Sequence, residues 1–434
     1  MITQQDLRVP NLGECQHASP LDFDSPSHPG ASHFRCDSDR IRYRVKLSAE
    51  SEALENVTFE ESGPREQIYF DPQLTTAAIV TCGGLSPGLN NVIRSVFKAL
   101  TENYGVKRVL GIQNGYLGLT PEAGLEPVEL TRELVEPIDK LGGTILGSSR
   151  GPQQPNVMAD FLAHHKIDIL FCIGGDGTQR GAHALDQELR KRDARVSIIG
   201  IPKTIDNDVP FVGLSFGYAT ALEKASEVIR AAHVEARGAI NGIGLVKLMG
   251  RHAGFIAAGA SVVSQEVDFT LIPEIPFPMD GKQGFLPALE DRMRRRGHAV
   301  VVVAGGAGQH HCGDTDGKRD ASGNLLHQDI AEVLQQRIAH HFADISMPVA
   351  MKYFDPSYLI RSIPASMFDR YLCDQMARQA VHAAMAGKTG MLIGMEHEYY
   401  VNVPIPAVVS QTKRVDITGQ RWRAVLESTG QPRW

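Results

Sequence analysis

The sequence predicts an α/β protein with two doubly wound parallel-sheet domains. Short continuous runs of Val, Ile and Leu recur along the chain, as expected of strands covered by helices on both faces. Each run ends in glycine or a polar turn and leads into a stretch of helical period, the alternation that implies parallel βαβ units. The 434 residues suffice for two such sheets with well-filled cores.

Taken in order, residues 1–72 read as an N-terminal extension, rich in Ser, Pro, His, Asp and Glu and without a sustained strand or helix period. From Thr75 the pattern changes. TTAAIVTCGG predicts a strand and tight turn, and LNNVIRSVFKALTENY a helix. IDILFCIGGDG then leads into TQRGAHALDQELRKR, and RVSIIGIPKT into a polar turn. GIGLVKLMG leads into HAGFIAAGASVV, and HAVVVVAGGAG into a glycine-rich stretch. The repeated strand, turn and helix give both domains a Rossmann-like pattern.

Composition narrows the function classes. Hydrophobic residues at 42% and charged residues at 22% are those of an ordinary globular protein. A net charge of -6 offers no global attraction to nucleic acid or to an anionic membrane, so a phosphorylated ligand must be held by local cations and backbone amides. The six cysteines form no CxxC pair, which argues against a disulfide framework and a structural zinc site and for a cytoplasmic location. The start lacks a basic region followed by an apolar stretch, and no run reaches membrane-spanning length, so neither an export signal nor a membrane span is expected.

Ligands of open α/β sheets bind at the carboxyl ends of strands, and the polar motifs fall there. Gly83-Gly84-Leu85-Ser86-Pro87-Gly88-Leu89-Asn90 joins a strand to a helix. Its glycines serve either a phosphate at helix-terminal amides or the tight turn itself. Gly174-Gly175-Asp176-Gly177-Thr178 sets a carboxylate among glycines; Asp176 suits a magnesium ion bridging nucleotide phosphates, or else caps the helix that follows. Pro202-Lys203-Thr204-Ile205-Asp206-Asn207-Asp208 brings two carboxylates, a hydroxyl and an ammonium to one loop, the set that phosphoryl transfer needs; the alternative is a turn rich in Asp and Asn.

Met249-Gly250-Arg251 ends the strand GIGLVKLMG, and YFDPSYLIRS carries Tyr358 and Arg361. Either arginine can fork onto a phosphate or form an ordinary surface ion pair. Arg292, Arg294, Arg295 and Arg296 read as a solvated helix face, with an effector-phosphate site as the alternative. His310-His311-Cys312 reads as a surface loop, with a metal site as the alternative.

From Tyr69 to Gly394, TCGGLSPGLN, GGTILGSSRG, IGGDGTQRGA, GIPKTIDND, SFGYATA, VKLMGRHAGFIA and YFDPSYLIRSIP occur in order. Together they resemble the 6-phosphofructokinase family, in its long ATP-dependent type known from plants, trypanosomes and some bacteria. The extension and the last 40 or so residues lie outside the resemblance. It implies an ATP-binding domain at 73–218, completed by about 360–395, and a fructose 6-phosphate domain at 219–359, with a C-terminal segment at 396–434. It also implies an active site in the cleft between the domains, a homotetramer or homodimer, and effector control.

By matching motifs, the resemblance implies that Gly83, Arg150, Gly151, Gly175, Asp176, Gly177 and Thr178 line the ATP site, with Asp176 directed to Mg²⁺. Thr204, Ile205 and Asp206 contact the sugar phosphate, and Asp206 accepts the proton of the attacking 1-hydroxyl. Asp208 helps the metal and the transferring phosphoryl group, and Arg251 counts with Thr204 among the catalytic residues. Met249, Gly250 and Arg251 embrace the sugar, Tyr358, Leu359, Ile360 and Arg361 hold its 6-phosphate, and Lys352 serves a neighbouring subunit's site.

Two positions report the donor. Gly177 resembles the ATP users, since an Asp there obstructs the nucleotide, whereas Lys203 resembles the pyrophosphate users; the long ATP-dependent enzymes carry both. Gly305 departs from the family, standing where AEGAGQ has Glu. Losing such a carboxylate costs about 1.5 to 3 kcal/mol, so a weakened or altered sugar preference is expected. The rival readings are a pyrophosphate-dependent enzyme and a catalytically weak regulatory member. A NAD or lipid kinase shares GGDGT but does not predict PKTIDND or MGR.

Overall fold

The computed structural model describes residues 2–23, 33–45, 57–313 and 327–434. These fall into two compact units. The first comprises residues 1–204, 209–217 and 363–412, and the second residues 205–208, 218–362 and 413–434. The rest of the N-terminal extension and most of the glycine-rich stretch after Ala304 lie outside the described residues.

The first unit is built on a nine-stranded sheet. Its centre is five parallel strands in the spatial order Met391–Glu396, Ser197–Pro202, Ile169–Gly174, Thr76–Thr81 and Arg108–Ile112. All six residues of Thr76–Thr81, of Ile169–Gly174 and of Ser197–Pro202 are buried, as a sheet covered on both faces requires. Around the sheet, helix Leu89–Lys98 packs on Met367–Met385, and Pro155–His164 on Asp176–Lys191. Between Thr76–Thr81 and Ile169–Gly174 the winding reverses, the point at which doubly wound sheets bind ligands. The first glycine loop and the GGDGT loop leave these two strands at their carboxyl ends.

Strands that the sequence pattern did not announce extend the sheet. Tyr399–Pro404 returns antiparallel to Met391–Glu396, Thr58–Glu61 pairs with it, and Arg40–Arg42 completes that edge. The last two belong to the extension, and runs of three or four residues are too short to carry a period. A largely buried ion cluster with an exposed Asp37 fixes them: Arg65 and Lys388 both reach Glu60, at 3.1 Å each, and Asp37, at 3.0 and 2.8 Å.

The second unit holds four parallel strands in the order Phe269–Leu271, His298–Ala304, Gly242–Leu248 and Ala350–Phe354. Ile243 and Leu245 face a core shared with Ile330, Leu334 and Ile338 of helix Ile330–Asp344. Residues 413–434 belong to this unit, with Trp434 against Phe269, Phe277 and Phe285.

Arg292 corrects the expectation of a solvated arginine face. It lies on the buried stripe Phe285, Leu286, Leu289, Arg292 and Met293 of helix Phe285–Arg296 and bonds Asp268 and the Thr429 carbonyl. The helical period that buries Leu289 buries position 292 as well. Arg294 and Arg295 pair with Glu290 and Asp291 one turn back, and Arg296 with Asp268, so the run is committed within the chain. Among the described residues no helix is long and apolar enough to cross a membrane.

Candidate active site

In the first unit, two loops are laced together at the switch point. The Gly83 amide donates to the Ser149 carbonyl at 3.0 Å, and the Ser148 hydroxyl to the Gly83 carbonyl at 2.6 Å. This brings the exposed Arg150, and Gly151, beside Gly83. Gly83 adopts φ +82°, a left-handed backbone that needs glycine. Gly88 is demanded by packing, because a Cβ there would lie 2.6 Å from the Cys373 sulfur.

The glycines of the GGDGT loop differ in what requires them. A Cβ on Gly174 would collide with Thr178 at 2.1 Å, and one on Gly175 would lie 3.3 Å from the Lys203 carbonyl. At Gly177 a Cβ would meet nothing within 4 Å, and its φ is not left-handed. Gly177 nevertheless sits in the first turn of helix Asp176–Lys191, where glycine costs about 1 kcal/mol relative to alanine. Neither packing nor backbone explains the missing side chain.

Gly175, not Asp176, is the N-cap, and no side-chain cap bond forms, so the capping alternative for Asp176 is not realised. The Asp176 carboxylate is more than half exposed and pairs with Arg180 at 2.5 Å. From below, the Tyr116 hydroxyl donates to the Thr178 carbonyl at 2.7 Å. Burial pushes the Cys172 thiol up to about 12 and raises that of Cys82, so both thiols beneath the loops stay protonated.

Along the third motif burial alternates: Lys203, Ile205, Asn207 and Val209 are buried, and Thr204, Asp206 and Asp208 are half-buried between them. The segment is not a continuous strand, since it turns at Ile205 and Asp206. Lys203 and Thr204 belong to the first unit. The Lys203 ammonium bonds the Gly84 carbonyl, and Ser215 donates to the Thr204 carbonyl at 2.6 Å. Ile205 to Asp208 belong to the second unit, where Asn207 takes φ +53° and the Asp208 carbonyl accepts from the Lys413 amide.

In the second unit, Met249-Gly250-Arg251 and Gly305 leave neighbouring parallel strands, Gly242–Leu248 and His298–Ala304. The Gly305 amide donates to the Leu248 carbonyl at 3.0 Å and the Gly306 amide to that of Gly250 at 2.9 Å. A Cβ on Gly306 would strike the Arg251 carbonyl at 1.9 Å, but one on Gly305 would meet only the Leu248 oxygen, at 3.8 Å. A side chain at Gly305 is therefore sterically admissible.

The next strand, Ala350–Phe354, is a sheet edge that carries the exposed Lys352. Beyond it, Tyr358 and Leu359 are exposed, Ile360 is buried, and the Arg361 guanidinium lies 4.6 Å from the Tyr358 ring centre. Three residues here escaped the sequence reading. Lys247 bonds Asp329 at 2.7 Å and Asp355 at 3.1 Å. Burial works against its charge, yet the hydrogen bonds to both carboxylates hold its pKa well above that of an ordinary lysine. The one signal was a lone charge inside the apolar run GIGLVKLMG.

His310 and His311 both turn a ring nitrogen to the Phe277 carbonyl, at 3.2 and 2.7 Å. Among the described residues no three His, Cys, Asp or Glu side chains form a metal cluster. A magnesium ion carried by nucleotide phosphates fits this donor set, because it uses one or two carboxylates and completes its shell with phosphate oxygens and water.

Residues 76–384 match the family described as Phosphofructokinase. An "ATP-dependent 6-phosphofructokinase" of Amycolatopsis methanolica is 46% identical over 437 residues, spanning 98% of this chain and 95% of its own. The protein of the same name from Borreliella burgdorferi is 44% identical over 434 residues, spanning 98% and 97%. Among solved structures, a pyrophosphate-dependent phosphofructokinase from Marinobacter aquaeolei has a TM-score of 0.67 at 22% identity, over 82% of this chain and 91% of that one. That likeness speaks for the fold. With its motifs at the carboxyl ends of both sheets and relatives matched along nearly its whole length, the chain belongs to the phosphofructokinase family.

Proposed function

We propose that the protein is an ATP-dependent 6-phosphofructokinase, transferring the γ-phosphoryl group of ATP to the 1-hydroxyl of fructose 6-phosphate to give fructose 1,6-bisphosphate and ADP. The observation that carries the donor is Gly177, an accessible glycine at a helix start that nothing in the chain requires. Room kept clear beside a phosphate loop suits a nucleotide; pyrophosphate, lacking a nucleoside, does not need it.

On this reading Gly83, Arg150, Gly151, Gly175, Gly177 and Thr178 bind the nucleotide through loop amides, a guanidinium and the start of helix Asp176–Lys191. Asp206 takes the proton as the 1-hydroxyl oxygen attacks phosphorus, with Thr204 and Ile205 bounding the acceptor. Arg251 neutralises charge on the phosphoryl group in flight. Met249 and Gly250 shape the sugar site, and Tyr358, Leu359, Ile360 and Arg361 form the 6-phosphate arm. Mg²⁺ would be held by Asp176 with help from Asp208 and would neutralise phosphate charge. Lys352, exposed on its edge strand, is available to a neighbouring copy in a homotetramer or homodimer. The reading also covers a cytoplasmic, effector-controlled step of glycolysis.

A donor assay is the test. Purified protein with Mg²⁺ and fructose 6-phosphate is expected to consume ATP and to ignore pyrophosphate; the opposite preference would overturn the donor assignment. Asp206→Asn is expected to lower kcat by about 10²- to 10⁴-fold, the usual contribution of a positioned base. Full activity in that variant would remove Asp206 from the role.

A further inference from the structure

We propose that Lys247 is a positioning residue, setting through Asp355 the loop that presents Tyr358 and Arg361 to the substrate phosphate. The inference rests on the function proposed above.

The position of Lys247 is peculiar. Alternation along Gly242–Leu248 puts Ile243, Leu245 and Lys247 on one face, and the first two pack in the apolar core beneath helix Ile330–Asp344. An apolar residue would continue that row. Instead an ammonium group, its side chain 19% exposed, spans two carboxylates. One belongs to Asp329, the N-cap of the helix, which also accepts from the Ala331 amide. The other belongs to Asp355, the residue that follows the edge strand.

Asp355 divides its oxygens. Oδ1 accepts the amide of Ser357 at 3.0 Å and its hydroxyl, closing a tight turn. Oδ2 accepts the Lys247 ammonium at 3.1 Å and the Tyr353 hydroxyl at 3.4 Å. Burial raises the Asp355 pKa, but the Ser357 bonds and the ammonium more than offset it and keep the group ionised. Beyond the turn only Ile360 is buried, and Tyr358 is 75% exposed. The arm is thus fixed by the buried Pro356 and Ile360 and by the charged tie from Lys247 to Asp355.

Loss of the ammonium would leave two carboxylates facing each other without their shared cation, and the turn would swing away. The effect belongs to phosphate binding and not to the transfer step. Lys247→Met is expected to raise the KM for fructose 6-phosphate about tenfold, the loss of one charge-assisted hydrogen bond. Its kcat should stay within about twofold and its KM for ATP unchanged, while Lys247→Arg should keep the wild-type KM.

Asp355→Asn retains the Ser357 turn but weakens the tie, so it should reproduce the shift, and the double variant should be no worse than either single one. It also supplies a reading if Lys247→Met fails to fold. An unchanged KM for fructose 6-phosphate in either soluble variant, additive effects, or parallel losses in both substrates' KM and in kcat would overturn the proposal. Wild-type enzyme without activity towards ATP and fructose 6-phosphate would instead overturn the function on which it rests.

Discussion

The Tyr116 hydroxyl hydrogen-bonds the Thr178 backbone carbonyl, so the first turn of the helix that begins at Asp176 rests on a buried phenol. The ring also fills the space beside Gly181, where a Cβ would lie 2.5 Å from it. Burial pushes the phenol pKa well above its ordinary value, so it remains a donor at any working pH.

Tyr116→Phe keeps the ring and removes one hydrogen bond to the Thr178 carbonyl. It should cost about 0.5 to 1.5 kcal/mol of stability and raise the KM for ATP by a few-fold. Fructose 6-phosphate kinetics, measured at saturating ATP, should not move, because the acceptor residues hang from other strands.

Gly177→Asp separates folding from donor choice. The new side chain enters open space in a first helical turn, where a carboxylate is tolerated, so Tm should stay within a few degrees of wild type. Activity with ATP should fall by at least about 10²-fold, as expected where a side chain fills substrate space. A variant that is stable and still uses ATP well would show that the open space is not the nucleotide's.

Gly305→Glu tests the sugar side. The backbone at Gly305 is not left-handed and its surroundings are open, so the substitution should fold. An added carboxylate that hydrogen-bonds the sugar should lower the KM for fructose 6-phosphate by about tenfold or more. If KM stays put, the glycine does not weaken binding.

His382 predicts acid sensitivity. It is half-buried on helix Met367–Met385, with its Nδ1 2.8 Å from the Tyr104 hydroxyl. Burial first, then the Arg378 and Arg65 charges, bring its pKa from 6.5 down to about 3. The unfolded chain therefore binds a proton below about pH 6.5 that the folded chain refuses. Stability is fully present above that pH and is lost as pH falls towards 3, by about 1.4 kcal/mol per unit. Between pH 7.5 and 5, the unfolding free energy of the wild type from urea titration should fall by about 2 kcal/mol more than that of His382→Gln.

The strands were legible wherever a run is buried on both faces. AAIV, ILFCIG, SIIGIP and AVVVVA announce themselves because every residue in them is apolar or small. The glycine loops were equally plain, since they sit at the ends of those runs. Arg40–Arg42 and Thr58–Glu61 were not: they are short strands at one end of the sheet held by Glu60, Arg65, Asp37 and Lys388, partners as much as 351 residues apart. Arg292 was misread because a cluster of charges masked the one that the helix turns inward. The Lys247 tie joins residues brought together only by the sheet and the helix beside it.

The order of the central strands bears on how the chain matures during synthesis. Ser197–Pro202 must pair with Met391–Glu396, a partner made about 190 residues later. At ribosomal speeds of ~5–20 residues per second, that flank stays unpaired for roughly 10 to 40 s. A strand destined for full burial, waiting with one open side, is a template for intermolecular pairing. Recombinant yield should accordingly depend on holding that nascent edge apart from its neighbours, through slower expression, lower temperature or chaperone supply.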